Sequence, residues 1–329
     1  MMGMGEFDLL ARIRERLPAN GPRIHLGSGD DAAVSVPGGA TATSVDALVD
    51  GVHFRRQLAS PAQIGHKALA TALSDLAAMG AEAGEAYVVL GLPPDFSEGE
   101  CIEMLDGMAA LAGATGTALA GGDLSRATEL FLAITVVGHS SDPKAFVDRG
   151  GAQPDDVLVL TGELGGAAAG LKLLDDPALE ASLPASSIAE LRARQLEPTP
   201  RLDAGRALAA SGATAMIDLS DGLGADATHL AQRSGVKLQI EAEAVPLAPA
   251  GKALSVASGS DPWQLLNGGE DYELLASISP TRLEQATSAV HATAAIALTQ
   301  VGEVLAGSGV EIRLPGGRLL APGGFDQLA

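Results

Sequence analysis

Five short segments of the chain set acids beside, or two residues from, glycine or serine: Asp30-Asp31, Asp46, Ser74-Asp75, Asp123 and Asp218-Leu219-Ser220-Asp221. Carboxylates are hard oxygen donors. They suit magnesium, which keeps several of its waters and sits between carboxylates and substrate phosphates. Neighbouring glycines let a backbone and a phosphate approach closely. Any one of these pairs reads as an ordinary turn. Five together, three of them after strand-like runs, read as a cation site.

Asp75 poses the question most sharply. Gly65 to Ala81 is rich in Ala, Leu and Met, all strong helix formers, and Gly80 is a stop signal. A 3.6-residue repeat puts Ala68, Ala72 and Met79 on the face of Asp75, with Leu69, Leu73 and Leu76 on an adjoining stripe. A helix so apolar all round is expected to be buried, and an ionised carboxylate within it is costly unless something positive offsets it. Lys67 lies two turns away and is a poor partner. A metal ion shared with carboxylates from elsewhere is a better one. A frayed helix end, with Asp75 capping or facing water, fits this stretch equally well.

Other constellations fail. The six histidines show no metalloprotease spacing, Cys101 has no visible catalytic surroundings, and no Gly-x-x-x-x-Gly-Lys-Ser/Thr segment exists to form a P-loop. Gly222 to Ala227 mimics a dinucleotide fingerprint after a strand, but Asp221 at its mouth would repel a pyrophosphate lacking a cation. Gly162 to Gly170 could present helix N–H groups to a phosphate, and close helix packing explains its glycines equally well. His53 is a packed or surface histidine that also stands close enough to Asp46 in sequence for a substrate contact. Arg149 is an exposed charge or a phosphate clamp. Glu270 and Asp271 end a loop or join a site.

The elements that must position these residues alternate between strand and helix in both halves. Glu6 to Leu17 reads as an amphipathic helix stopped by Pro18. Ala40 to Val45 reads as a strand that delivers Asp46 at its end, with a loop over 50–54. Ala86 to Leu92 and Leu130 to Gly138 read as strands, Glu98 to Gly113 as a helix, and Thr117 to Ala120 as the lead into Gly121-Gly122-Asp123. Ser140 to Pro154, polar with two prolines and adjacent glycines, is the domain boundary. The expected domains are 1–147 and 148–329. Beyond the boundary, strands are expected over Asp156 to Thr161, Ala215 to Leu219, Lys237 to Ile240 and Tyr272 to Ile278. Helices are expected over Gly162 to Leu174 and Glu190 to Gln195, and again from Gly222 to Arg233. Beyond Ile278 the pattern assigns no element. Each half carries a Ser-Asp pair and a Gly-Gly-acid turn, a faint internal echo.

A chain of 329 residues with 47% apolar and only 3% aromatic residues fits two domains of closely packed, Ala- and Gly-rich elements. Its net charge of −20 argues against nucleic acid as a partner. Acid-rich sites take phosphates only through bridging cations. A single cysteine suits a reducing compartment. Charges among the first residues, and the lack of an apolar run long enough for a bilayer, lead to an expectation of a cytoplasmic protein without a membrane partner.

As a set, the segments resemble the thiamine-monophosphate kinase family, within the superfamily of aminoimidazole ribonucleotide synthetase and selenophosphate synthetase. The resemblance is carried by Gly5-Glu6-Phe7, Gly29-Asp30-Asp31-Ala32, Asp46 with His53-Phe54, Lys67 through Ala81, Gly121-Gly122-Asp123, Arg149-Gly150-Gly151-Ala152, Pro200-Arg201, Asp218 through Gly222, and Gly268 through Leu274. Val52-His53-Phe54 and the Gly-Gly-Glu-Asp-Tyr-Glu-Leu run point to the thiamine branch. The end, Gln327-Leu328-Ala329, lacks the cysteine expected of the hydrogenase-maturation branch.

The resemblance implies an α/β (α+β) fold of two aminoimidazole ribonucleotide synthetase-like domains. In it the N-terminal domain binds ATP and magnesium and contributes to a β-barrel shared across a homodimer, and the C-terminal α/β domain completes the active-site cleft. It implies ATP-dependent phosphorylation of thiamine monophosphate to thiamine diphosphate, with several Mg2+ ions. Alternatives are another ATP-dependent synthetase of the superfamily or a non-catalytic nucleotide- or metal-binding relative. The metal ligands it implies are Asp31, Ser44, Val45, Asp46, Asp75, Asp123, Asp218 and Asp221, with Asp46, Asp75 and Asp123 catalytic. Gly122, Asp123, Arg149 and Ser220 are the implied nucleotide contacts, and His53, Glu270 and Phe325 the implied thiamine contacts. Three departures from the family pattern matter. Val45 and Leu124 stand where Thr is usual, so a metal contact at Val45 must use its backbone oxygen. The end reads Gly-Phe-Asp-Gln-Leu in place of Gly-Tyr-Asp-His-Phe.

Overall fold

The protein is described from a computed structural model covering residues 6–16, 21–27 and 32–325. It divides into two compact units, Met1–Leu76 with Ala81–Pro143, and Ala77–Gly80 with Lys144–Ala329. No described helix is long and apolar enough to cross a membrane.

In the first unit, α1 (Glu6–Arg16) is followed by a short antiparallel pair, β1 (Ile24–Leu26) and β2 (Val34–Ser35). Then come β3 (Ala40–Val49), α2 (Pro61–Ala78), β4 (Glu82–Leu92), α3 (Glu98–Thr115), β5 (Ala118–Arg126) and β6 (Phe131–Ser140). The sheet runs β3-β6-β4-β5 and is open, with β3 and β5 at its edges. β4 and β5 are parallel and therefore need a crossover, which α3 supplies. Ser97 and Glu100 fix the start of α3 with a capping box. Strand residues alternate between faces, so Leu48, Val88, Leu90, Leu132, Ile134 and Val136 form a buried face while Val45 and Val89 stand exposed on the other.

α2 is buried as its composition predicts: Ala68, Leu69, Ala72, Leu73 and Leu76 are almost wholly inaccessible. It packs so closely on α3 that a side chain at Gly65 would strike the Met104 carbonyl, and one at Gly107 the Ala62 carbonyl. Two strands are longer than their sequences suggest. Ten residues of β3 pair with β6, so Asp46 lies mid-strand instead of at a strand end. Gly121-Gly122-Asp123 lies inside β5 because its pairing with β4 continues to Arg126.

The second unit contains β7 (Val157–Thr161), α4 (Gly166–Asp175), α5 (Ala185–Leu196), α6 (Leu202–Ala210) and β8 (Ala213–Asp218). It continues with α7 (Leu223–Ser234), β9 (Lys237–Glu241), α8 (Pro249–Ala257), β10 (Leu274–Ile278), α9 (Leu283–Ala294), β11 (Leu298–Leu305), β12 (Gly309–Arg313) and β13 (Leu319–Leu320). Its sheet runs β13-β12-β9-β11-β7-β10-β8, antiparallel except between β12 and β9. One core packs α7 on this sheet, with Leu158, Leu160, Ile217, Leu230, Leu238 and Leu275 at its centre. A smaller core joins α4, α5 and α8 through Leu173, Leu191 and Leu254. α4 starts four residues later than its glycine signal, since Gly162 and Gly165 take left-handed φ values of 56° and 82°. The segment beyond Ile278 supplies α9 and three strands.

Candidate active site

Ser44 and Asp46 are two residues apart on β3 and so share a face, the buried one, where they pair with Val136 and Ile134. Asp75 meets them from the last turn of α2. The Ser44 hydroxyl donates a short hydrogen bond to Asp75 Oδ2. Burial raises the Asp46 carboxyl to about 6, with the negative charge of Asp75 contributing in the same sense. Asp75 also sits at the negative end of its helix, where no basic side chain compensates it. It is therefore neither a frayed cap nor a fully buried charge. It is one of two mutually repelling half-buried carboxylates beside a hydroxyl. Every donor brought together here is an oxygen, the set a hard divalent cation takes. Among the described residues no three or more His, Cys, Asp or Glu converge as a metal cage. Magnesium held by one or two carboxylates plus substrate phosphates needs none.

The other implied residues of this unit stand elsewhere. The Asp123 carboxylate is exposed on β5 and accepts the Ser125 hydroxyl at 3.0 Å. β5 and β3 are opposite edges of the sheet, three strand spacings or about 14 Å apart along it. Gly122 lets β5 approach β4, since a Cβ there would lie 1.9 Å from the Val88 carbonyl oxygen. The Val45 side chain points to the exposed face, away from Ser44 and Asp46, so only its backbone is left as a donor. His53 folds back onto the end of β3: its Nδ1 accepts the Val49 N–H at 3.1 Å, so Nε2 is the protonated nitrogen of the neutral ring. Asp30 and Asp31 lie outside the described residues, as do Pro18, Gln327 and Leu328.

In the second unit the implied residues converge on turns. Asp218 ends β8, and Ser220-Asp221-Gly222 follows as a turn into α7. The Gly268-to-Tyr272 turn is stitched onto it: the Glu270 N–H donates to the Ser220 carbonyl at 2.8 Å, and the Tyr272 N–H to the Leu219 carbonyl at 3.0 Å. Glu270 and Tyr272 adopt left-handed φ values of 69° and 50°, strained for residues with side chains. The Glu270 carboxylate is held by the Gln195 amide at 2.5 Å. The Phe325 N–H donates to the Asp221 carbonyl at 3.0 Å, which places the third implied thiamine contact on the same turn. Arg149 is exposed, with its backbone tied to Ser234 at the end of α7.

Three acids outside the implied ligand and contact set, Asp226, Asp271 and Glu273, hold these turns. Asp226 Oδ2 accepts the N–H groups of both Asp221 and Gly222 at 3.0 Å. Burial raises its carboxyl to about 7 against those two bonds, and the charges of Asp218 and Asp221 push the same way as burial. Asp271 is half-buried and accepts the N–H groups of Gly165 and Ala167 at 2.7 and 3.1 Å, capping α4; desolvation raises its carboxyl to about 7 as well. Glu273 is fully buried, forked onto Arg201 at 2.6 and 2.9 Å and bonded by the Thr161 hydroxyl at 2.7 Å. One signal was available for Asp226: an acid in the first turn of a helix. Another was available for Glu273, a lone acid opening an apolar strand, which needs a buried partner.

These bonds also settle two phosphate-binding readings. Asp271 occupies the N–H groups at the start of α4. A side chain at Gly170 would strike the Leu191 carbonyl at 2.1 Å, so the glycines of α4 serve helix packing. The fingerprint-like start of α7 is likewise occupied, by Asp226 and by Gly323, whose carbonyl accepts the Ala225 N–H at 3.2 Å.

Residues 29–140 match the AIR synthase related protein, N-terminal domain, and residues 153–315 the AIR synthase related protein, C-terminal domain. A thiamine-monophosphate kinase of Mycobacterium tuberculosis is 40% identical over 278 residues, covering 83% of this chain and 80% of its own. The crystal structure of thiamine-monophosphate kinase from Stenotrophomonas maltophilia superposes with a TM-score of 0.83 at 36% identity, over 97% of this chain and 99% of that one. AaThiL complexed with AMPPCP and TMP superposes with a TM-score of 0.77 at 31% identity, over 98% of each chain. The fold is thus the two-domain α/β arrangement of AIR synthase relatives, and the chain belongs to the thiamine-monophosphate kinase family.

Proposed function

We propose that this protein transfers the γ-phosphoryl group of ATP to thiamine monophosphate, forming thiamine diphosphate. One observation carries the reading: a relative of the same fold, alike over nearly its whole length, has been solved with AMPPCP and TMP. The paired Asp46 and Asp75 carboxylates, positioned to accept a cation, support it from this chain's own residues.

In this reading Ser44, Asp46, Asp75 and the Val45 backbone oxygen hold magnesium in the first unit, with Asp31 and Asp123 as further ligands. Asp218 and Asp221 do so in the second. Bound Mg2+ would supply charge neutralisation between two phosphate groups that otherwise repel each other. Gly122, Asp123, Arg149 and Ser220 contact the nucleotide; His53, Glu270 and Phe325 contact the thiamine moiety. A phosphate oxygen of the monophosphate attacks the γ-phosphorus directly and in line, and ADP leaves. The nucleophile is already anionic, so the protein needs no strong general base, and its contribution is alignment. The domain spans are 1–147 for ATP, magnesium and dimerisation, and 148–329 for completing the site. A homodimer formed through the first unit's sheet is supported by its open face, where Val45 and Val89 are 64% and 37% exposed. Action in the cytoplasm accords with the single cysteine being a free thiol.

The test is to incubate the protein with ATP, magnesium and thiamine monophosphate and to resolve the products by chromatography. Thiamine diphosphate formed in step with ADP is the expected result. Free phosphate in its place, or ATP binding without product, overturns the kinase assignment. Sedimentation of the parent and of Val89→Lys tests the dimer, which the lysine is expected to dissociate.

A further inference from the structure

We propose that Gly224 and Asn267 form a seat for residues 321–325, and that this seat makes Gly224 a positioning residue for acceptor recognition by Phe325. The inference rests on the kinase reading. α7 begins without a side-chain cap, so its first-turn N–H groups need partners from elsewhere. The C-terminal segment supplies one. The Gly323 carbonyl accepts the Ala225 N–H at 3.2 Å, and the next bond in line runs from the Phe325 N–H to the Asp221 carbonyl at 3.0 Å. On the other side, the Asn267 amide donates to the Ala321 carbonyl at 3.3 Å.

Gly224 is where this segment comes closest. A Cβ there would lie 2.7 Å from Pro322 Cα and 2.8 Å from the Gly323 nitrogen. Both are backbone atoms, which cannot swing aside as a side-chain tip would. Glycine in a helix is otherwise disfavoured relative to alanine, so the seat is its evident reason for being here.

The product of the seat is the placement of Phe325. Phe325 is 52% exposed, and its backbone is bonded to the same Ser220-Asp221 turn that holds Glu270. An exposed aromatic face suits a cation, and the thiazolium of thiamine monophosphate is one. ATP presents no such group, so the seat is expected to govern the acceptor and leave the nucleotide alone.

Gly224→Ala tests this, because the helical backbone accepts alanine and only the seat is blocked. The unfolding midpoint is expected to hold or rise. Hydrogen exchange at the Ala225 and Phe325 amides is expected to quicken at least about tenfold, as the two bonds open. The KM for thiamine monophosphate is expected to rise about tenfold, with the KM for ATP and kcat within about twofold of the parent. Asn267→Ala, which leaves the helix intact, moves the same quantities in the same direction by less. Unchanged exchange at both amides would overturn the seat. Faster exchange with an unchanged KM for thiamine monophosphate, or both KM values rising together, would overturn its role in acceptor recognition. Failure of the parent to form thiamine diphosphate sinks the kinase reading instead, and the exchange measurement still reports on the seat.

Discussion

Asp46 and Asp75 stand on a strand and a helix, whereas Asp221 and Glu270 stand on turns. The first pair inherits its geometry from elements that satisfy their own backbone: ten consecutive pairings hold β3 to β6, and α2 is packed almost wholly out of water. The second pair has no ladder beneath it. Its turns keep their shape because Asp226 collects neighbouring N–H groups, while Asp271 and the Arg201–Glu273 pair collect N–H groups and charge from distant parts of the chain. An acid on a regular element can lose its charge without unravelling its surroundings. A turn laced by buried charge cannot lose a lace so cheaply. In the first unit chemistry and stability are separable; in the second they are coupled.

The hardest blow to that contrast is Arg201→Met. It strands the buried Glu273 charge and should cost about 3–5 kcal/mol in denaturant unfolding, with turnover falling alongside. A cost below about 1 kcal/mol would mean that the turns stand without their laces. Next is Asp75→Asn, which should lower turnover by about 10²–10³-fold, as removal of a group that organises transition-state charge does. Its circular dichroism and unfolding curve should match the parent. Asp123→Asn is expected to act in the same direction, and near-normal turnover in both variants at limiting magnesium removes the metal assignment.

A smaller effect sharpens the comparison through pH. Asp46 moves from 3.8 in the unfolded chain to about 6 in the folded one. Between those values the native state holds the extra proton, so its stability falls as pH rises. Asp46→Asn removes that penalty. In chelator it should be more stable than the parent above about pH 7, by about 1–2 kcal/mol after screening, with the gap closing toward pH 4. A gap that widens on acidification would reverse the sign and contradict the burial of Asp46. The smallest effect is a control away from both acid groups. Ser97→Ala should cost about 1 kcal/mol by opening the capping box of α3 and leave turnover unchanged.

The same contrast decides what could be read before the structure. α2 was legible because burial imposes a composition, and Asp75 was visible as an acid that composition does not explain. Ser44 and Asp46 were legible as residues, though Asp46 lies mid-strand, since pairing with β6 carries β3 past the point where its own pattern weakens. Among the laces of the second unit, Asp271 was the one without a local signal. Asp271 caps a helix that begins about a hundred residues earlier, and nothing local to it records that partner. The strings of the internal echo sit in different structures for a related reason. Ser74-Asp75 lies in a helix and Ser220-Asp221 in a turn, while Gly121-Gly122-Asp123 lies in a strand and Gly268-Gly269-Glu270 in a turn. Like short strings took different backbones because their surroundings, not their letters, satisfied the N–H groups.

The left-handed backbone at Glu270 and Tyr272 has a consequence for whatever arrives there. Alternate side chains of that turn are committed inward, Asp271 to α4 and Glu273 to Arg201, so the winding is finished when the chain folds. A visiting molecule therefore meets a preorganised loop and forfeits little affinity to ordering it. Differences in binding among acceptors should reflect the contacts each one makes, with near-parallel entropy costs across a ligand series.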